Sequence, residues 1–365
     1  MALACEIAES IEQRQQLLAE AETGTGKTLA YLVPSLRTDA RVLISTHTKA
    51  LQDQLMHRDI PAVVGALGVR RRIALLKGRA NYLCPLRLER HLSQGQLKLW
   101  EQKSLLAVRT WFEGSRDGDL SGLAFDPFVA GIGAMITATA EQCLGSKCAH
   151  VEDCPLMRAR KRAQAADIVV TNHSLLLADA ALKSGEYGEV LPEFDAYILD
   201  EAHALPPLAC QHFGVTLTQR RFIQWINDML AILDELGDEA ALRLELQQVF
   251  ERLLDAWRTG DLEQVEDAWS DIVRLAESRV ERGEELARLA DRSCQIAEEL
   301  AIVRAPGEGY VGWQEGEGEA RRHIVAPVET GLVLAQHLWH KPAAFVLLSA
   351  TLRVSQRFDY ARRRL

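Results

Sequence analysis

Eight consecutive residues, Ala-Glu-Thr-Gly-Thr-Gly-Lys-Thr from Ala21 to Thr28, carry the chemistry needed to grip a polyphosphate. Gly24 and Gly26 let the backbone curl tightly, so the N–H groups of Thr23, Gly24, Thr25 and Gly26 can point inward at phosphate oxygens. Lys27 adds a mobile positive charge and Thr28 a hydroxyl suited to Mg²⁺. Far downstream, Asp200 and Glu201 follow the apolar run Ala-Tyr-Ile-Leu. That run reads as a strand whose carboxyl end is where ligands of open α/β sheets bind. One carboxylate can hold Mg²⁺, directly or through water, while the other orients and polarises water for attack on a γ-phosphate. His203 could link this pair to the polar strand end at Ser349-Ala350-Thr351. The three clusters, in that order, point to a motor that takes ATP and Mg²⁺.

These residues need a sheet to position them. The chain opens on a helix-like segment, with the glycine loop barely two turns into it and no evident strand before it. LAYLVPSL then reads as an amphipathic helix and RVLIST as a short buried strand. A helix-like stretch runs to about Leu67, and RRRIALLKGRANYLC supplies a strand and a glycine turn. The rhythm stops at residues 85–165, which hold helical patches, a Gly/Asp-rich loop near Gly114 to Gly122 and three closely spaced cysteines. It resumes at ADIVVTNHSLLLAD and FDAYILDEAHAL, and from Leu217 to Val303 the pattern is almost continuously helical. AAFVLLSATL reads as a last buried strand. The expected architecture is one α/β nucleotide-binding domain in three pieces, residues 1–80, 161–210 and 326–365. A cysteine insert at 81–160 and a helical insert at 211–325 divide it.

Cys143-x4-Cys148-x5-Cys154 precedes Pro155, and Cys84 lies 59 positions before Cys143. Four thiolates could surround one metal centre, and this spacing leaves zinc and a [4Fe-4S] cluster both open. His150 lies between two of them but reads as a surface residue. Cys5, Cys210 and Cys294 have no partners at useful spacing and read as plain buried thiols.

The 365 residues are 48% hydrophobic and 25% charged, ordinary for a soluble globular protein of two or three domains. No apolar run reaches the roughly 20 residues of a membrane helix, and the first residues lack a signal-peptide pattern, so a cytoplasmic protein without membrane contact is expected. The net charge of −9 is uneven: residues 221–300 hold 20 acidic and 9 basic side chains, whereas residues 70–110 hold 10 basic and 2 acidic. Arg158, Arg160, Lys161 and Arg162 form a second basic run, and such patches suit phosphate backbones.

AETGTGKT, STHTKALQDQL, GRANYLC, C-x4-C-x5-C-P, VTNHSLLLAD, LDEAH and LLSATL, in that order, resemble the iron-sulfur superfamily 2 DNA helicases of the XPD and DinG family, with the DinG and YoaA branches nearest. The resemblance spans nearly the whole chain. It implies a RecA-like P-loop domain carrying an inserted [4Fe-4S] domain and an inserted helical arch, and 5′-to-3′ translocation on single-stranded or forked DNA in replication or repair, with a repair or replication protein as a possible partner. It also implies roles: Lys27 and Thr28 on the phosphates and Mg²⁺, Asp200 on the metal, Glu201 activating water. Thr46 and His47 would touch the DNA backbone, and His203, Ser349 and Thr351 would couple nucleotide state to DNA grip. Cys84, Cys143, Cys148 and Cys154 would hold the cluster. After Leu352 only RVSQRFDYARRRL follows, so the expectation is a first motor domain without its second, deficient in turnover, and with its adenine-recognition segment missing or reduced to SIEQRQQ. Two other readings stay open: a non-catalytic module binding ATP and DNA, and an RNA helicase with a zinc insert.

Overall fold

The computed structural model describes residues 1–22, 24–93, 97–183, 190–236 and 240–365. It divides into two compact units, one formed by Met1–Ala209 with Thr330–Leu365 and the other by Cys210–Glu329.

The first unit is built on six parallel strands: β1 (Gln16–Glu20), β2 (Val42–Thr46), β3 (Ile73–Leu75), β4 (Ile168–Asn172), β5 (Ala196–Asp200) and, last in the chain, β9 (Ala344–Ser349). Their spatial order is β1-β9-β5-β2-β4-β3. Central strands of a parallel sheet are covered on both faces and so read as unbroken apolar runs. VLIST, AYILD and AFVLLS are buried at every position. On one face Val42, Ile44, Ile198 and Val346 pack against Ile7 and Ile11 of helix Ala2–Gln13 and Tyr31 and Leu32 of helix Lys27–Arg37. On the other, Tyr197 stacks on Phe345 at 4.8 Å, and Trp339 meets Phe345 edge-on.

A strand does precede the glycine loop, contrary to the sequence expectation. Helix Ala2–Gln13 stops because Arg14 turns left-handed (φ 54°), with the Gln15 N–H donating back to the Ser10 carbonyl at 2.9 Å. QLLAE is composed of good helix formers and is an edge strand, only half-buried, so neither propensity nor burial marks it. Its pairing with β9, Gln16 to Phe345 through Glu20 to Ser349, overrides both.

The cysteine-bearing segment belongs to the first unit and has a small core of its own, including Leu83, Leu88, Leu105, Val108 and Ile136. Two contacts anchor it. Lys77, at the end of β3 and 3% exposed, is bonded to Asp53 at 3.0 Å and to Asp119 of the insert at 2.8 Å. Gly118, at φ +64°, lies against Pro155 so closely that a Cβ there would come within 2.4 Å of its ring. Pro155 opens helix Pro155–Ala165 with Cys154 as N-cap, a position where its missing N–H costs nothing.

The second unit holds helices Gln219–Leu236, Ala240–Thr259, Leu262–Glu277 and Glu284–Arg304. Trp225, Trp257 and Trp269 are fully buried among them. The indole N–H groups of Trp225 and Trp269 donate to the carbonyls of Leu289 (2.9 Å) and Ser293 (2.8 Å), so two of these large side chains enter the core with their polar atoms satisfied. The unit is not wholly helical. β6 (Val215–Thr218), β7 (Tyr310–Glu315) and β8 (Arg322–Pro327) form an antiparallel sheet in the order β6-β8-β7. The long helical run on one side masked these short strands in the sequence.

Candidate functional site

The carboxyl ends of the parallel strands bring together residues from across the first unit. Glu20, Thr46, Asn172, Asp200 and Ser349 each end a strand on this edge, where ligands of open α/β sheets bind. Glu20 leads into the glycine loop, whose Ala21 N–H donates to the Ser349 carbonyl at 3.0 Å. Gly24 and Gly26 sit at φ +81° and +85°, the left-handed region that a side chain would strain. The Thr25 hydroxyl donates to the Glu22 carbonyl at 2.7 Å. Thr23 lies outside the described residues.

Helix Lys27–Arg37 begins at the end of this loop, and Lys27 reaches across the sheet edge. Its Nζ stands 2.8 Å from Asp200 Oδ1 and 2.5 Å from Glu201 Oε1, and its side chain is only 9% exposed. Burial alone would lower the lysine's pKa, but hydrogen bonds to the two carboxylates outweigh it and hold the ammonium above its ordinary value. Asp200 moves up, because burial together with the charge of Glu201 exceeds the stabilisation by Lys27. The Tyr31 hydroxyl donates to Asp200 Oδ2 at 3.2 Å.

Glu201 occupies the left-handed region at φ 61°, which costs a non-glycine residue about 1–3 kcal/mol. The Asp200 Oδ1 accepts from the Glu201 N–H at 3.0 Å. His203 Nδ1 is 2.7 Å from Ser349 Oγ and 3.4 Å from Glu201 Oε2, and the Thr351 N–H donates to the same serine at 3.3 Å. Thr351 itself is exposed.

Of the two proposed DNA contacts, Thr46 is fully buried at the end of β2, so its side chain cannot reach a phosphate; His47 beside it is exposed. Three residues of this edge escaped the sequence reading: Glu20, Tyr31 and His173. The Glu20 carboxylate accepts from the backbone N–H groups of Leu352 and Arg353 at 2.7 and 2.6 Å. His173 is fully buried between Ser45 and the Asp200 carbonyl, 2.8 Å from each. Burial pushes its pKa down to about 3, so the ring is neutral. His173 falls within VTNHSLLLAD, one of the stretches that carry the family resemblance, but nothing in that stretch assigns the ring a role.

Cys84, Cys143, Cys148 and Cys154 are all half-buried, and none of them is in a disulfide. Burial raises the Cys84 pKa, and Cys143 and Cys154 add to it, so both lie within electrostatic reach of Cys84. Among the described residues, no three His, Cys, Asp or Glu side chains stand together in metal-ligating geometry. His150 pairs with Glu89 at 3.3 Å. The expectation of buried thiols fails for Cys5, which is exposed because its helix turns Ile7 and Ile11 inward, and Cys210 and Cys294 are only half-buried. No helix among the described residues is long and apolar enough to cross a membrane.

The DEAD/DEAH box helicase family matches residues 3–81. Over its full length the chain is similar to the ATP-dependent DNA helicase YoaA of Haemophilus influenzae (35% identical, 60% of that protein covered) and of Escherichia coli (34%, 61% covered). It is also 31% identical to the ATP-dependent helicase DinG of Mycobacterium tuberculosis, with 98% of this chain and 60% of that protein aligned. The chain thus spans about 60% of the length of these curated relatives. Two solved structures, an XPD helicase and a truncated XPD, match 97% of the chain with a TM-score of 0.50 at 14% and 15% identity, covering 58% and 94% of their own chains, a likeness of fold.

Proposed function

We propose that this chain, similar over its full length to YoaA and DinG, is the nucleotide-binding motor region of an ATP-dependent DNA helicase of the DEAD/DEAH box type, acting on single-stranded or forked DNA in the cytoplasm. The observation that carries the reading is Lys27 meeting both Asp200 and Glu201 at the carboxyl edge of a parallel sheet. A lysine that already bonds to one buried and one half-buried carboxylate is placed to exchange them for the β- and γ-phosphates, with the backbone N–H groups of Gly24 to Gly26 as the other phosphate donors. Thr28 and Asp200 would hold Mg²⁺, a hard cation that neutralises phosphate charge, and a hydroxyl with a carboxylate is an oxygen donor set that suits it. Glu201, carried on its left-handed turn, would orient water and take its proton. His203 and Ser349 would report the state of that turn to the loop after β9.

The same reading assigns Cys84, Cys143, Cys148 and Cys154 to a [4Fe-4S] cluster, supported by four half-buried cysteines in one insert, with Cys143 and Cys154 within electrostatic reach of Cys84. Bound there, the cluster would act as a structural staple for the insert. Seven cysteines with no disulfide among them suit a reducing compartment.

Titration with a fluorescent ATP analogue, with and without Mg²⁺, tests the nucleotide reading. Mg²⁺-dependent binding that Lys27→Ala weakens is expected, and binding indifferent to Lys27 refutes it. Iron analysis of anaerobically purified protein tests the insert: absorbance near about 400 nm is expected, and stoichiometric zinc without iron would replace the cluster with a zinc site.

A further inference from the structure

The peptide joining Asp200 to Glu201 is held on both sides. Its N–H donates to Asp200 Oδ1 at 3.0 Å, and its carbonyl, the Asp200 O, lies 2.8 Å from His173 Nε2. A flip of this peptide would change ψ of Asp200 and φ of Glu201 together and carry Glu201 out of its left-handed conformation at φ 61°. A carbonyl oxygen only accepts, so Nε2 must carry the proton. The other ring nitrogen, Nδ1, lies 2.8 Å from Ser45 Oγ, and a hydroxyl can donate to it. The ring is fully buried and Ser45 is fully buried, so neither bond has water as a substitute. His173 opens helix His173–Lys183 directly after β4, Ser45 sits in β2, and Asp200 ends β5, so one imidazole spans three neighbouring strands of the sheet.

We propose that His173 is a positioning residue: as its Nε2–H tautomer, oriented by Ser45, it pins the Asp200 carbonyl and so holds the Asp200–Glu201 turn in the conformation that presents both carboxylates to Lys27 and to the Mg²⁺ of bound nucleotide. The proposal rests on the nucleotide reading above. His173 touches neither nucleotide nor water in this scheme and acts only through the peptide it holds. Holding the carbonyl opposes a flip of the peptide that would carry Glu201 out of its turn.

Two measurements test this on the intact chain. In ¹⁵N-histidine NMR, His173 is expected as the Nε2–H tautomer, and Ser45→Ala should shift its Nδ1 resonance. In analogue titrations, His173→Phe, which keeps the bulk of the ring without its polar atoms, should lose about tenfold or more of the affinity gained on adding Mg²⁺, as removal of groups that orient metal ligands commonly does, while affinity in EDTA stays within about threefold. His173→Gln, which can still donate to the carbonyl, should recover most of the Mg²⁺ response. An Nδ1–H tautomer overturns the proposal, as does His173→Phe with the parent's full Mg²⁺ response or loss of EDTA binding in both variants. Lys27→Ala separates the two ideas: if it binds as tightly as the parent, the nucleotide reading fails, whereas the tautomer still judges the arrangement around His173.

Discussion

Glu20 and Arg353, separated by 333 positions, are joined by two hydrogen bonds, from the Arg353 N–H at 2.6 Å and from its Nε at 2.7 Å. Through them the residue that ends β1, just before the glycine loop, holds the loop that follows β9. Hydrogen bonds from the Arg353 backbone and then its side chain keep the Glu20 carboxyl below its ordinary 4.5. A depressed carboxylate stabilises above its unfolded pKa, and that contribution is lost as pH falls through the folded value. Hydrogen exchange at the Leu352 and Arg353 amides should therefore be protected at neutral pH and lose protection on acidification below about 4.5. Glu20→Ala, which removes the acceptor, should expose both amides at neutral pH; unchanged protection would mean that the carboxylate does not hold this loop.

Lys27→Ala removes the one mobile cation of the loop. Charge-assisted hydrogen bonds contribute about 1.5–3 kcal/mol, so ATP affinity should fall by about 10- to 100-fold. Asp200→Asn should instead spare most of the affinity in EDTA and lose the gain from Mg²⁺. Equilibrium titration of the two variants side by side distinguishes a phosphate contact from a metal contact.

Cys148→Ser should lower iron content and bleach the absorbance near about 400 nm, because a cluster left with three thiolates is labile. The insert should also become more susceptible to protease, since metal-binding energy is folding energy there. Full iron occupancy in the variant would remove Cys148 from the ligand set.

Trp269→Ala should destabilise the second unit by about 3–5 kcal/mol, the usual cost of deleting a large buried aromatic. The residue is fully buried, sits 5.0 Å from Phe222 and 5.4 Å from Trp225 between ring centroids, and donates to Ser293. Urea unfolding followed by far-UV circular dichroism measures this loss, and a change below about 1 kcal/mol would show that the aromatic cluster is not the unit's core.

What the sequence determined by itself is the part that depends on local chemistry. AETGTGKT, LDEAH and LLSATL are legible because each joins a run of one character to residues of unmistakable chemistry. The parallel α/β class follows because central strands such as AFVLLS are buried on both faces and carry no polar interruption. The long helices of the second unit follow from their apolar spacing. Tertiary structure decided the rest, because it depends on partners distant in the chain. QLLAE becomes a strand only when β9 pairs with it, and YVGWQE becomes one only against RHIVAP, which VTLT pairs on its other side. Which face of the first helix meets the sheet exposes Cys5, and strand-end burial withdraws Thr46 from the surface. Glu20 and His173 gain their contacts from residues that no local pattern associates with them. Lys27 meets Asp200 and Glu201 because β1 and β5 both flank β9, a fact of strand order that sequence spacing does not contain.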